Sequence, residues 1–308
     1  MSETLATTDR PGEAALTPPL ATGRDFWQLM KPNVMKLVVF SGITGLVIAP
    51  GGLHPVLWVV AVLCIAVGSG AAAAINNWYD VDIDRVMVRT RRRPTAAGRI
   101  EPAEALGFGV TLAIFSVMVM GLALNWVAAA LLAGTIGFYV FVYTLWLKRR
   151  TPQNIVIGGA AGALPPVVGW AAVTGDVGLL PILVFAIIFL WTPPHFWALA
   201  IYRTKDYAGV GVPMLPVVAG AAVTRRQIVA YTAVLVATSL APFALGLAGW
   251  LYGLAALGLG GWYAFHVVRL WWDPRESRAM RAFKVSIVYL FGILAALMAD
   301  YGVQGWWS

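Results

Sequence analysis

Asn76, Asp80 and Asp84 stand four residues apart in the stretch INNWYDVDIDRVMVRTRRRP, which runs from Ile75 to Pro94 and places three aspartates beside five arginines. On a helix that spacing puts all three side chains on one face, with Asp82 directed away from them. Amide and carboxylate oxygens are hard ligands suited to Mg²⁺, which takes one or two protein carboxylates and fills its other positions with water and phosphate oxygens. Arginine, with its planar fork of donors, suits the phosphates themselves. A second stretch, YRTKDYAGVGVPMLP, repeats the pattern: Tyr202 and Asp206 are four apart, with Arg203 and Lys205 beside them. The chemistry that both stretches suit is a metal-bridged diphosphate. A plainer alternative is that acids at a helix end are merely solvated and that the arginines only set membrane topology.

The elements that must position these residues are membrane helices. Of 308 residues 60% are hydrophobic and 12% charged, and the mean hydropathy is +0.77, whereas a soluble domain carries roughly 25% charged residues. Runs near the roughly 20 residues that cross a bilayer as a helix occur at Asn33–Pro50, Pro55–Asn77, Ala105–Leu124, Trp126–Leu147 and Ile155–Val173. Four more lie at Leu179–Tyr202, Ile228–Leu247, Tyr252–Trp272 and Phe283–Met298. The expected fold class is therefore all-α, a polytopic protein of nine transmembrane helices.

All 22 Lys and Arg fall in the N-terminal tail, at the edge of the first helix, or in and beside the connections 2–3, 4–5, 6–7 and 8–9. Basic residues are retained on the cytoplasmic side, which places the N-terminus inside and the C-terminus outside. A bacterial plasma membrane is the simplest home. Helices two and six are separated by an even number of crossings, so both aspartate stretches emerge on the same, cytoplasmic side. Residues 1–25 read as a disordered tail without the apolar core of a cleavable signal, and residues 26–308 as a single transmembrane domain. The net charge of +8 is a topology signal and not a nucleic-acid footprint, because no basic run sits in a soluble domain large enough to fold. Cys64, alone and in helix two, reads as packing.

NNWYDVDID resembles the N-x-x-x-D-x-x-x-D motif of the UbiA superfamily of intramembrane prenyltransferases, and YRTKD resembles the start of that superfamily's second motif. Three further strings, YTLWLKRRTPQNIVIGGAAGALPPVVGWAAVTG, WTPPHFWALAIYRTKDYAGVGVPMLPVV and RTRRRPTAAGRI, with the KP at Lys31 and Pro32, are similar to the haem branch, the protohaem IX farnesyltransferases. The likeness is strong from Lys31 to Val218 and rests on hydropathy beyond. Val210 stands where other members carry a second aspartate, and Asn33 where arginine is commoner.

The resemblance implies helices around a central cavity capped by loops 2–3 and 6–7, and transfer of a farnesyl group from farnesyl diphosphate to the vinyl side chain of haem b, giving haem O for haem-copper oxidases. It implies Mg²⁺ as cofactor, held by Asn76, Asp80, Asp84 and Asp206, with Asp80, Asp84 and Asp206 essential to catalysis. Arg89, Arg93, Lys148, Tyr202 and Lys205 would bind the diphosphate. Contacts with the lipid bilayer and with haem-oxidase assembly partners belong to the same expectation. Tyr139, Tyr143, Trp191 and Phe196 are candidates to line the cavity and stabilise a farnesyl cation, against the alternative of ordinary packing. His195 follows Pro193 and Pro194, about two turns before Tyr202, and is a candidate haem ligand, against the alternative of a structural hydrogen-bond partner.

Other classes fit less well. A relative acting on an aromatic, quinone-precursor acceptor would share both aspartate stretches but would not need PPHFWALAI. A transporter would carry its ionisable residues near the midplane on broken helices, whereas these cluster at one surface.

Overall fold

The computed structural model describes residues 21–305, and within them the regular elements are all helical. In chain order these are α1 (Gly23–Leu29), α2 (Pro32–Ile48), α3 (Pro55–Tyr79), α4 (Val81–Val86), α5 (Pro102–Ala123) and α6 (Trp126–Gly137), the last continued by a π-helical stretch, Phe138–Leu147. Then come α7 (Asn154–Ala163), α8 (Pro165–Thr174), α9 (Leu179–Tyr202), α10 (Thr204–Ala208), α11 (Leu215–Val218), α12 (Gly220–Ala244), α13 (Trp250–Trp272) and α14 (Glu276–Gly305). Eight helical segments among the described residues are long and apolar enough to cross a membrane, α7 and α8 together forming one, and the pair α1 and α2 makes a ninth bent by 57°. The chain is a multi-pass membrane protein, and the expected count of nine holds with that bend included.

Local chemistry sets the ends. Pro32, Pro55, Pro102 and Pro165 each occupy the first turn of a helix, where the missing N–H costs nothing. The Asn125 side chain accepts from Ala128 N at 2.9 Å and donates to the Ala171 carbonyl at 2.8 Å, tying the start of α6 to the end of α8. No side chain at the start of α13 caps it. Instead Asp300 of α14 accepts from Gly249 N at 2.5 Å and Tyr252 N at 3.3 Å, so one helix caps another.

Small residues let the backbones approach, as membrane helices without a solvent-driven attraction require. A Cβ added at Gly45 would stand 2.0 Å from the Pro166 carbonyl oxygen, and one at Gly169 would stand 2.2 Å from that of Gly42. Helices α2 and α8 therefore cross backbone to backbone, well along α2 from Lys31 and beside Ile65 in the middle of α3. Around this crossing lies a core of Leu46, Ala61, Cys64, Ile65, Val168 and Ala171. Cys64 is buried there, in keeping with a packing role.

Three details differ from the sequence reading. The tail was expected to reach residue 25, but α1 begins at Gly23 with a complete capping box between Thr22 and Asp25. Residues 1–20 lie outside the described part of the chain. The first span is not one straight helix. Finally, the end of the fourth span is π-helical, with Lys148 N bonded to the Tyr143 carbonyl at 2.9 Å. Such turns concentrate at functional sites.

Candidate active site

The aspartates sit where α3 passes into α4. Asp80 N bonds to the Asn76 carbonyl at 3.0 Å and Asp84 N to the Asp80 carbonyl at 2.8 Å, so helical spacing continues across the break at Asp80 and the three side chains keep one face. Asp80 is fully buried and Asp84 is 3% exposed, whereas the Asp82 side chain is 62% exposed. The division expected from spacing is therefore observed.

Buried carboxylates need partners, and the bundle supplies them from several elements. The Asn76 amide donates to Asp80 Oδ2 at 2.8 Å and to Thr144 Oγ1 at 3.2 Å. Lys31 Nζ donates to Asn76 Oδ1, Lys148 Nζ pairs with Asp80 Oδ2, and Arg93 Nη1 pairs with Asp84 Oδ2 at 2.7 Å. Arg149 makes a fork on Asp82, both bonds 2.8 Å, donates to the Tyr79 carbonyl at 2.9 Å and lies over the Tyr79 ring. The hydrogen bonds from Arg149 hold the Asp82 carboxyl below the usual carboxylate range, and the same bonds raise the guanidinium above its own. Asp80, Asp82 and Asp84 thus pair with Arg93, Lys148 and Arg149, and Lys31 joins the cluster through Asn76.

One oxygen is left over. Asp80 Oδ1 is enclosed and accepts no hydrogen bond among the described residues, with Arg149 Nη2 3.7 Å away. A buried carboxylate oxygen without a donor is costly, and it fits a ligand position for a hard cation, so the donor set suits Mg²⁺.

Loop geometry brings in the second stretch. Ile83 and Met87 pack with Ile155, Ala200, Val212 and Met214, with Tyr207 and Val210 against them. The loops after α3 and after α9 therefore share an apolar cluster beside the acids. Asp206, however, is partly exposed and pairs with Arg203 at 3.2 Å. Among the described residues no three of His, Cys, Asp or Glu lie close enough to hold one ion, so the four-residue cage with Asp206 is not assembled. Tyr202 ends α9 and Asp206 lies on the short helix α10, the two being separated by a break at Arg203. Arg89 and Lys205 are exposed and make no hydrogen bond or ion pair among the described residues, and Tyr202 is 39% exposed beneath the Arg203 guanidinium. Arg93 and Lys148 are the diphosphate candidates already drawn into the cluster.

The site also holds residues that the spacing did not reveal. Thr144 and Arg149 arrive from the π-helical stretch and its end, and Lys31 from the bend between α1 and α2. Lys31 has φ +52°, the one non-glycine residue with positive φ among those described. Before a proline the right-handed helical region is disfavoured, and the left-handed alternative costs about 1–2 kcal/mol. Lys31→Gly should therefore be more stable than Lys31→Ala by about 1 kcal/mol, measured by thermal unfolding in detergent, since both lose the ammonium and only glycine loses the strain. Equal stabilities would refute strain at this position. Tyr139 and Tyr143 lie 5.2 Å apart, and Tyr143 is seated on Gly158, where a Cβ would come within 2.2 Å of its ring. Trp191 and Phe196 surround His195.

The UbiA prenyltransferase family profile matches residues 38–299. The chain belongs to the UbiA prenyltransferase family. A protein named "Protoheme IX farnesyltransferase" from Rhodopseudomonas palustris strain BisB5 is 57% identical over 288 residues, covering 92% of each chain. One of the same name from Acidiphilium cryptum is 55% identical over 315 residues, covering 98% of this chain and 99% of the relative. Among solved structures of this UbiA fold, digeranylgeranylglyceryl phosphate synthase superposes with a TM-score of 0.76 at 18% identity, over 90% of this chain and 98% of that one. A UbiA homologue from Archaeoglobus fulgidus bound to GPP and Mg²⁺ superposes with a TM-score of 0.66 at 16% identity, over 89% and 99%.

Proposed function

We propose that this UbiA-family enzyme transfers the farnesyl group of farnesyl diphosphate to a vinyl side chain of haem b, giving haem O. The observation that carries the reading is the buried Asn76, Asp80 and Asp84 cluster, with an unbonded Asp80 oxygen and Lys and Arg side chains around it. It is joined by the name that relatives sharing 55% and 57% of their residues bear over nearly the whole chain.

Asn76, Asp80 and Asp84 would hold Mg²⁺, with Asp206 of α10 as a further oxygen donor. When bound, the metal supplies positive charge against the departing diphosphate. The allylic C–O bond breaks and its electron pair leaves with the diphosphate. Arg93, Lys148 and Lys31 then gain most from turning to it, because charge concentrates there in the transition state. Arg89, Tyr202 and Lys205 lie exposed at the same loops and would receive the diphosphate first. The farnesyl cation is kept from water within the bundle, where the faces of Tyr139 and Tyr143 can stabilise it. The vinyl carbon attacks it, one water adds to the porphyrin-side cation, and a proton is released, leaving a hydroxyethylfarnesyl group. His195 would hold the haem.

Purified protein given haem b, farnesyl diphosphate and Mg²⁺ should yield a porphyrin heavier by one farnesyl group and one hydroxyl group, read by mass. Prenylation of an aromatic acid with haem left unchanged would reassign the acceptor. The site face is proposed to be cytoplasmic in a bacterial plasma membrane, where farnesyl diphosphate is soluble and basic residues are retained. A reporter active only outside the cytoplasm should then be active when fused after Ser308 and silent when inserted near Thr95. The opposite pattern would invert this topology.

A further inference from the structure

His195 is held on three sides. Its ring lies between Trp191, with centroids 4.2 Å apart, and Phe283, at 4.5 Å, both nearly parallel to it. Its Nδ1 is 2.7 Å from Ser286 Oγ of α14. The same serine is fixed twice more: its backbone carbonyl accepts from Trp191 Nε1 at 2.7 Å, and its Oγ stands 2.7 Å from the Phe283 carbonyl.

These contacts favour one position for the imidazole proton. A serine hydroxyl has one hydrogen to donate, and a carbonyl oxygen can only accept. If Ser286 gives its hydrogen to the Phe283 carbonyl, Oγ must accept from His195, and the ring carries its hydrogen on Nδ1. If the ring carried its hydrogen on Nε2, one hydroxyl hydrogen would have to serve two 2.7 Å contacts, and one buried contact would be left without a proton. The Nδ1–H form satisfies both. Nε2 then bears a lone pair. It has no hydrogen-bond partner among the described residues, and the residue as a whole is 7% exposed.

From this we infer that Ser286 is a positioning residue: by accepting from Nδ1–H it fixes His195 in the tautomer whose Nε2 can ligate the iron of a metalloporphyrin. The inference rests on the haem reading proposed above for this site. A hydrogen bond at the far nitrogen both orients an imidazole ligand and raises its basicity, and losing such a partner typically weakens metal binding about 10–100-fold. Trp191 and Phe283 block rotation of the ring, so the serine's effect is on the proton and not on the ring plane.

The test has two readouts. The first is the tautomer of His195 without any haem, taken from the vibrational difference spectrum of wild type minus H195A in H₂O and D₂O. Wild type and Ser286→Thr, which keeps the hydroxyl, should show Nδ1–H, and Ser286→Ala should lose that signature. The second is titration with haem b, followed at the Soret band. S286A should bind about 10–100-fold more weakly with an altered band, and S286T should restore both affinity and band. An Nε2–H ring in wild type overturns the inference whatever haem does. A correct tautomer with the same haem affinity and Soret band in wild type, S286A and H195A overturns His195 as the ligand, while leaving haem O production by these variants to judge the catalytic reading separately. Failure of S286A to fold would leave the wild-type and S286T spectra to decide between the tautomers.

Discussion

Asp80→Asn should lower turnover about a thousandfold while leaving the protein in the membrane and folded. Asparagine has the same shape, and the residue sits at a helix junction with backbone bonds to Asn76 and Asp84 that do not involve its side chain. What changes is the charge of a fully buried group and the donor quality of Oδ1, the enclosed oxygen that no protein donor reaches. Asp84→Asn should behave likewise, since its carboxylate is 3% exposed and bound by Arg93. Asp82→Asn should be mild: its side chain points outward to Arg149, and exposed pairs contribute about 0–1 kcal/mol. The contrast between neighbouring aspartates is the strength of the experiment, because a general loss of negative charge at this end of the bundle would affect all three alike. Normal turnover of Asp80→Asn, with unchanged Mg²⁺ dependence, would remove the metal-holding role.

Gly45→Ala or Gly169→Ala should abolish most of the folded protein. The added carbon would meet backbone oxygen at 2.0 Å or 2.2 Å, and neither neighbour is a flexible side chain that can move aside. Overpacking of that kind costs roughly 3 kcal/mol or more, a large share of a membrane domain's margin. Gly107 and Gly134 provide the controls. Both lie within helices and an added Cβ meets nothing within 4 Å, so alanine there should be harmless. The yield of monodisperse protein after extraction reads all four variants. Gly45→Ala eluting as well as Gly134→Ala would show that α2 and α8 are not locked as described.

Much of this was legible in the sequence because a bilayer demands long apolar runs. The second transmembrane helix was expected over Pro55–Asn77 and forms as α3 over Pro55–Tyr79, and the segregation of Asp80 and Asp84 from Asp82 followed from helical spacing alone. The rest depended on interactions that no local pattern carries. The π-helical stretch FYVFVYTLWL is apolar on every side, so its hydrophobicity gives no period from which a wider turn could be read. The bend at Lys31 reflects a side chain drawn to Asn76, 45 residues away. Asp206 matched its motif by identity, yet it lies on the separate short helix α10, paired with Arg203, and among the described residues no three acids gather with it around one ion. His195 was noticed as an intramembrane histidine, but Ser286 is 91 residues further on and unremarkable in type.

The locked crossing of α2 and α8 bears on the energy of the cell. A membrane that stores a proton gradient tolerates a group of buried charges only if they do not offer ions a route through. Here the charged residues Lys31, Asp80, Asp84, Arg93 and Lys148 gather at one end, while further along α2 the backbones of α2 and α8 meet, with Leu46, Ile65 and Val168 around the contact. Under the proposed function, polyanions and divalent ions would be held at one end of the bundle, and the close α2–α8 crossing would deny them a path between those two helices.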